Sequence, residues 1–165
     1  MALKDWNIFS PSRKVLKKAK KLADHIDALG PQYRAKSNAE LSAMTPYLIE
    51  KLKKGHSLDD ILPEAFATIR EAIYRVHGLY AFKVQLIGAI VAHEGDFAEM
   101  YTGEGKTLVI VMVAYLNALL KRGVHIVTVN EYLVQRDAKF CAECVNPLGL
   151  TVGYKIADFE ADEKR

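Results

Sequence analysis

The chain has 165 residues, half of them apolar and 26% charged, with a net charge of only +3. These values fit one globular domain and exclude a chain too polar to form a core. The start, Met1 to Trp6, lacks the apolar region of a secretory signal. The longest apolar run, Leu108–Leu120, is shorter than the roughly 18 residues that cross a bilayer. We therefore expect a cytoplasmic protein without a membrane-spanning helix.

Positive charge is concentrated at the beginning of the chain. Residues 1–36 hold nine Lys and Arg against three Asp, a net of +6, which leaves −3 for residues 37–165. Apolar residues recur every three or four positions between Ser10 and Leu29, which predicts an amphipathic basic helix that ends at Gly30-Pro31. This helix either faces anionic lipid or an acidic partner, or packs on its own domain with a solvated charged face.

Two further helical regions follow in the first half. Ser37 and Glu40 have the spacing of a capping box, and Pro46 marks a break or a new first turn. Pro63 fits the first position of the next helix, which Gly78 closes. The first half is therefore predicted to be all helix.

The segment Val84–His93 is apolar nearly all round, which predicts a short buried helix. Gln85 is its exception. An amide that is buried without a partner costs roughly 1–3 kcal/mol, so Gln85 must find one. The partner is either the base edge of a nucleotide or a backbone group.

A glycine-rich loop, M-Y-T-G-E-G-K-T at 100–107, joins the short run Asp96–Met100 to Leu108–Leu120. The layout predicts a strand, a phosphate-binding loop and a helix. The strict P-loop pattern has Gly where Met100 stands, so the loop is of the compact type found in helicase-like motors.

Each residue type in this loop suits a nucleoside triphosphate. Gly103 and Gly105 allow successive N–H groups to converge on a phosphate at a helix N-terminus. Lys106 would reach the β- and γ-phosphates, and the Thr107 hydroxyl would be a ligand of Mg²⁺. The predicted ligand is therefore a nucleoside triphosphate with magnesium.

The remaining elements predict a parallel sheet. Gly123–Val129 is a β-branched run typical of a buried parallel strand, and Leu150–Tyr154 reads as another strand. Between them, Asn130 is predicted to cap a helix from Glu131 to about residue 146. Alternating strands and helices predict an α/β fold with an incomplete parallel sheet, preceded by an N-terminal helical segment.

Cys141 and Cys144 form a C-x-x-C pair. Such a pair is either two buried structural cysteines, a redox pair or half of a zinc site. Because the surrounding residues read as helix interior and no second pair follows, we expect buried structural cysteines.

Four stretches carry a resemblance to a known family. They read L-P-E-A-F-A at 62–67, F-K-V-Q-L-I-G at 82–88, A-E-M-Y-T-G-E-G-K-T at 98–107 and G-V-H-I-V-T-V-N-E-Y-L at 123–133, the last followed by Arg136-Asp137. In this order they resemble the SecA motor ATPase of bacterial protein export, over essentially the whole chain.

The resemblance implies a RecA-like, helicase-type P-loop fold. Residues 1–165 would be a single, incomplete nucleotide-binding domain 1, with N-terminal helices over 1–80 and the P-loop α/β part over 81–165. It implies ATP and Mg²⁺ as ligands, with Gln85 at the adenine and the loop at the phosphates and metal. The nucleotide-binding residues expected are Gln85, Thr102, Gly103, Glu104, Gly105, Lys106 and Thr107, with Thr107 also a Mg²⁺ ligand.

The resemblance also implies partners. The complete protein would be a protein-transporting ATPase that drives preproteins through the Sec membrane channel, peripheral at the inner membrane, and could form a homodimer. Its basic N-terminal helix would meet acidic phospholipids, and no nucleic-acid partner is expected.

Hydrolysis needs groups that these 165 residues do not supply. The sequence contains no D-E-x-D segment and no second motor domain, so we expect no catalytic residue in this chain and very slow turnover. Two alternatives stay open: a fragment of an ATP-dependent nucleic-acid helicase, and a catalytically inactive regulatory or interaction module.

Overall fold

A computed structural model describes residues 11–156. Within this range the chain forms seven α-helices and one short 3-10 helix, joined by loops. The helices are α1 Pro11–Ala35, α2 Asn38–Ser42, α3 Met44–Lys53, α4 Leu58–His77, α5 Lys83–His93, α6 Lys106–Ala118 and α7 Glu131–Val145, followed by the 3-10 helix Asn146–Leu148. No helix in the described range has the length and apolar character needed to span a bilayer.

Helix α4 lies at the centre of the fold. It packs against α1, α3, α6 and α7, and α5 packs against both α1 and α6. Apolar residues from these helices form one continuous core, which explains why α4 is buried along most of its length. Its largest fully buried members include Ile26, Leu48, Phe66, Ile69, Ile73, Leu86, Ile90, Met112 and Leu116.

Helix α1 continues through Gly30-Pro31 to Ala35, so the prediction that it ends there is wrong. Contacts with α4 hold the additional turn. Tyr33 is buried, Arg34 Nε donates to Glu71 Oε2 at 3.1 Å, and Arg75 Nη2 donates to the Tyr33 carbonyl at 3.3 Å. Tertiary packing therefore outweighs the local stop signal of glycine and proline.

Helix α4 begins at Leu58, which makes the placement of Pro63 at its first position wrong. Ser57 is the N-cap: its Oγ accepts the Asp60 N–H at 3.2 Å, and Asp60 Oδ2 accepts the Ser57 N–H at 2.8 Å. This reciprocal pair satisfies donors at the helix start, so the helix begins five residues before the proline. Gly78 ends the helix with φ 68°, as predicted.

Other predicted helix ends are confirmed. The capping box joins Ser37 and Glu40, whose Oε2 accepts the Ser37 N–H at 2.7 Å. Pro46 lies in the first turn of α3, and Asn130 caps α7 by accepting the Leu133 N–H at 2.9 Å.

The predicted parallel α/β sheet is wrong for the residues described. Between residues 11 and 156 neither Asp96–Met100, Gly123–Val129 nor Leu150–Tyr154 forms a strand. A strand requires a ladder partner, whereas the side chains of Phe97, Val127 and Val129 are fully or 90% or more exposed. The β-branched pattern thus reports local preference, and the pairing that would realise it is absent from this part of the chain.

The cysteine pair lies on α7 and faces the core. Cys141 and Cys144 are both buried and free of disulfides, which confirms the prediction of buried cysteines within a helix. Burial raises the pKa of both thiols, that of Cys144 to about 12, so both are neutral at physiological pH.

Candidate nucleotide site

A cleft of about 640 Å³ opens between the glycine-rich loop, the start of α5, and α7. Its volume lies within the range of small-molecule sites. Residues 78–82, which connect α4 to α5 and which we call the connecting segment, form one wall. The residues that line the cleft are Gly78, Leu79, Tyr80, Phe82, Gln85, Gly103, Gly105, Thr107, Leu108, Arg136, Asp137 and Phe140.

The phosphate-binding loop has the backbone that its glycines predict. Gly103 and Gly105 have φ of 89° and 80°, in the left-handed region that favours glycine, and Gly105 is the N-cap of α6. Glu104 turns back on the loop, where its Oε2 accepts the Tyr101 N–H at 2.7 Å. The free N–H groups at the α6 N-terminus and its dipole make this end of the cleft favourable for an anion.

Gln85 joins the loop to the connecting segment. Its Oε1 accepts the Phe82 N–H at 2.8 Å, and its Nε2 donates to the Glu104 carbonyl at 2.8 Å. The partners of this buried amide are therefore backbone groups, one of the two alternatives that the sequence left open. An amide has two N–H groups and two acceptor sites, so these two bonds use one donor and one acceptor of Gln85, which also lines the cleft.

Close packing at Gly105 strengthens this link. A Cβ atom added there would lie closer than 3.0 Å to Gln85 Nε2. Glycine is thus required twice at this position, once for its positive φ and once for the approach of the Gln85 amide. The loop and the start of α5 are built as one unit.

The opposite side of the cleft belongs to α7. Arg136 Nε and Nη2 donate to Asp137 Oδ1 at 2.9 and 2.7 Å, which holds a cationic side chain at the rim. Phe140 stacks on His77 with ring centroids 4.2 Å apart, and His77 lies 3.6 Å from Glu143 Oε2. This side offers a cation and an aromatic surface.

Four of the seven predicted binding residues line the cleft, and three lie exposed on the loop beside it. Those in the lining are Gln85, Gly103, Gly105 and Thr107. Those beside it are Thr102, Glu104 and Lys106.

Sequence reasoning missed the connecting segment and gave Arg136-Asp137 no role. Arg136-Asp137 follows one of the stretches that carry the family resemblance, and that position could have indicated a role at the site.

The residues present fit a nucleoside triphosphate. Positive φ at two glycines and a helix N-terminus match a phosphate tail, and the Gln85 amide beside the loop matches the edge of a base. Thr107, which lines the cleft at the start of α6, fits one oxygen ligand of a nucleotide-bound Mg²⁺. Among residues 11–156, no group of three or more His, Cys, Asp or Glu side chains is arranged to hold a metal ion by itself.

Comparison with known families decides the relationship. The family model of the SecA DEAD-like domain matches residues 5–165. The chain belongs to the SecA DEAD-like domain family. The resemblance to SecA, based on the sequence motifs, is therefore confirmed.

Relatives within the SecA family agree closely. The chain is 50% identical over 165 residues to a protein translocase subunit SecA from Mycoplasmoides gallisepticum, covering 100% of the chain and 18% of that protein. It is 51% identical over 158 residues to the SecA subunit of Caldicellulosiruptor saccharolyticus, covering 96% of the chain and 19% of the relative. For that of Pelotomaculum thermopropionicum the identity is 46% over 163 residues, with 99% and 18% covered. The chain thus spans less than a fifth of the length of these relatives.

Proposed function

We propose that this chain is the ATP-binding portion of a SecA motor that couples ATP hydrolysis to the translocation of preproteins through the Sec membrane channel. The observation that carries the proposal is the Gln85 amide, which bonds both the connecting segment and Glu104 of the loop at the wall of the cleft. This arrangement, in a chain of the SecA DEAD-like domain family, suits a ligand with a base at one end and phosphates at the other.

Each predicted residue has a role in this proposal. The remaining N–H and acceptor of Gln85 would bond the adenine edge. The N–H groups of Gly103, Gly105, Lys106 and Thr107 would bond the phosphates, while that of Glu104 donates to the Tyr101 carbonyl at 3.2 Å. Lys106 would neutralise the β- and γ-phosphates. The Thr107 hydroxyl would hold Mg²⁺, which draws electron density from the terminal phosphate when bound. Thr102 and Glu104 would shape the loop.

Arg136 lines the cleft, although sequence reasoning assigned it no role in binding. We infer that its guanidinium, held by Asp137, faces the ribose and base side of the nucleotide. A planar cation suits stacking on a base as well as hydrogen bonding.

The direct test is Lys106→Ala, with ATP affinity measured by isothermal titration calorimetry in the presence of Mg²⁺. Loss of a charged donor to the phosphates should weaken binding at least about tenfold. Lys54→Ala is the matched control, because Lys54 is exposed at the end of α3, outside the cleft. Equal affinities for Lys106→Ala and the wild type would remove the site assignment.

We also infer that residues 1–165 form one nucleotide-binding domain that needs further catalytic groups. A carboxylate to position the attacking water, and a cation to stabilise the transferring phosphoryl group, are each worth orders of magnitude in rate. The 165 residues would therefore bind ATP but hydrolyse it very slowly. The motor would work in the cytoplasm and at the inner membrane, and its full-length form could be a homodimer.

The exposed face of α1 would meet acidic phospholipids. Ala19 and Ala23 of this helix are buried against the core, so the lysines on its opposite side face solvent. Lys18 is already engaged, since its Nζ donates to Glu94 Oε1 at 2.6 Å. The exposed lysines directly opposite Ala19 and Ala23 are Lys14, Lys17 and Lys21, while Lys20 is exposed at the side of this face.

This lipid contact is tested by changing Lys14, Lys17 and Lys21 together to Gln. Each cation near an anionic membrane contributes about 1 kcal/mol, so binding to vesicles rich in acidic lipid should fall by roughly a hundredfold. Co-sedimentation with such vesicles measures it, and Lys53→Gln with Lys54→Gln at the C-terminal end of α3 is the control. If the triple variant of α1 and the double control variant bind vesicles equally well, α1 is not the lipid surface.

A further inference from the structure

The connecting segment is held in place from behind the cleft. The side chains of Leu79 and Phe82 are 49% and 72% exposed, so they do not anchor it, although the Phe82 backbone bonds to the start of α5. Ala81, in contrast, is fully buried, and Tyr80 is partly buried. Side-chain contacts that position the middle of this wall therefore act on Tyr80 and Ala81.

Arg70 of α4 contacts both of these residues. Its side chain is buried, and its Nε donates to the Ala81 carbonyl at 2.8 Å. Its guanidinium carbon lies 3.9 Å from the centroid of the Tyr80 ring. Nη1 donates to Asp27 Oδ1 on α1 at 2.6 Å, which fixes the plane of the guanidinium. One side chain thus bonds the backbone of the segment and stacks on its aromatic ring.

Tyr80 fits a slot formed by two helices. Arg34 of α1 lies 4.9 Å from the Tyr80 ring centroid, and Tyr74 of α4 meets the ring edge-to-face at 5.7 Å. A Cβ on Gly30 would lie only 2.7 Å from the Tyr80 hydroxyl oxygen. The absence of a side chain at Gly30 gives Tyr80 its room, so the position of the segment is set by both α1 and α4.

We propose that Arg70 is a positioning residue for the base-binding wall of the nucleotide cleft. This inference rests on the proposed nucleotide site. Arg70 does not line the cleft itself; it fixes the segment that does, before the nucleotide arrives. Lysine cannot replace it, because an ammonium group lacks the planar fork that stacks on Tyr80 while it bonds Ala81 and Asp27.

The neighbouring Arg75 also bonds α4 to the end of α1, so this link between the two helices does not depend on Arg70 alone. Arg75 Nε donates to Glu71 Oε1 at 2.9 Å, and Nη2 donates to the Lys36 carbonyl just beyond α1 at 2.6 Å. In the described part of the chain, none of the hydrogen bonds of Arg75 reaches the connecting segment. Arg75 is therefore the matched control for a purely structural role.

The test compares two ligands, ATP and inorganic tripolyphosphate, each with Mg²⁺, on the full chain of Arg70→Lys and Arg75→Lys. Calorimetry gives both affinities, and thermal unfolding gives the loss of stability. Arg70→Lys should weaken ATP binding about tenfold and leave the affinity for tripolyphosphate unchanged, because only the wall that contacts the base is disturbed. Arg75→Lys should change neither affinity, although it lowers the unfolding temperature.

A second variant decides the case in which Arg70→Lys does not fold. Asp27→Asn removes the ion pair that orients Arg70 and leaves the cleft lining intact; it should weaken ATP about threefold, with tripolyphosphate unchanged. If the folded variants keep the ATP affinity of the wild type, or lose affinity equally for both ligands, the role of Arg70 is overturned and the proposed function is not. A wild-type chain that binds ATP no better than tripolyphosphate would overturn that role too. A wild type that binds neither ligand would overturn the proposed function as well.

Discussion

Replacing Gly105 by alanine would push the phosphate-binding loop away from Gln85 of α5, which packs directly against Gly105. Gly105 has φ 80°, and an added Cβ would lie closer than 3.0 Å to Gln85 Nε2. Gln85 is buried and held by two hydrogen bonds, so its amide cannot rotate away without losing them. The substitution therefore strains the loop and releases the amide at the same time.

The magnitude follows from these two effects. A residue other than glycine in the left-handed region costs roughly 1–2 kcal/mol. Breaking the two hydrogen bonds of Gln85, to Phe82 and Glu104, costs about 1 kcal/mol each. Alanine at Gly105 should thus lower the free energy of unfolding by about 3 kcal/mol. ATP affinity should fall by roughly thirtyfold, because the released Gln85 amide loses its two bonds to the base, each worth about 1 kcal/mol.

Gly123→Ala separates strain from collision. Gly123 has φ 79°, but a Cβ there meets no atom within 4 Å, so this variant carries the backbone cost alone. Urea unfolding measures the stability of both variants, and titration calorimetry measures ATP affinity. The reasoning fails if both variants lose the same stability and Gly105→Ala retains the ATP affinity of the wild type.

Three further changes test other parts of the structure. Tyr115→Phe removes the buried hydrogen bond to Thr45, 2.8 Å long, and should lower the free energy of unfolding by about 1 kcal/mol in urea. Glu71→Gln leaves two arginines without their buried carboxylate and should cost about 2 kcal/mol in the same assay. The Ser57 hydroxyl and N–H lower the pKa of Asp60 below its ordinary value of 3.8. Stability from this pair is present above that ordinary pKa and is lost as the pH falls through the lowered folded value; Asp60→Asn should flatten this acid limb in unfolding measured against pH.

Exposed counterparts serve as controls for these variants. Tyr132→Phe and Glu99→Gln change side chains on the surface, so each should leave the urea midpoint nearly unchanged. A loss as large as that of Tyr115→Phe or Glu71→Gln would mean that burial is not the cause. For Asp60→Asn, an acid limb as steep as that of the wild type would show that other carboxylates set it.

Local patterns predicted the helices well where the signal lies within one turn. Ser37 with Glu40, and Asn130 before α7, cap their helices because the bonded partners are three residues apart. The predicted end of α1 at Gly30-Pro31 was wrong because contacts with α4, which is distant in sequence, hold the last turn of the helix. The predicted strands were wrong for a related reason: β-branched residues such as Val127 and Val129 favour a strand, but a ladder needs a partner that no local pattern specifies.

The same distinction applies to the site. The backbone of the loop was predictable, because Gly103 and Gly105 are the residues that adopt a positive φ at no steric cost. The connecting segment was not predictable, since its position comes from Arg70 and other residues that meet it only in the folded chain. Gln85 was identified as an exception to an apolar pattern, but its backbone partner Glu104 lies on another element.

Hydrogen–deuterium exchange with and without ATP and Mg²⁺ tests the central claim most directly, because it locates the ligand on the chain. The account predicts slower exchange in two places, the loop at 101–108 and the connecting segment with the start of α5 at 78–86, and no change in α3. Both segments must respond to ATP, since the claim is that one nucleotide contacts both. Protection of neither segment, or protection confined to other helices, would contradict it.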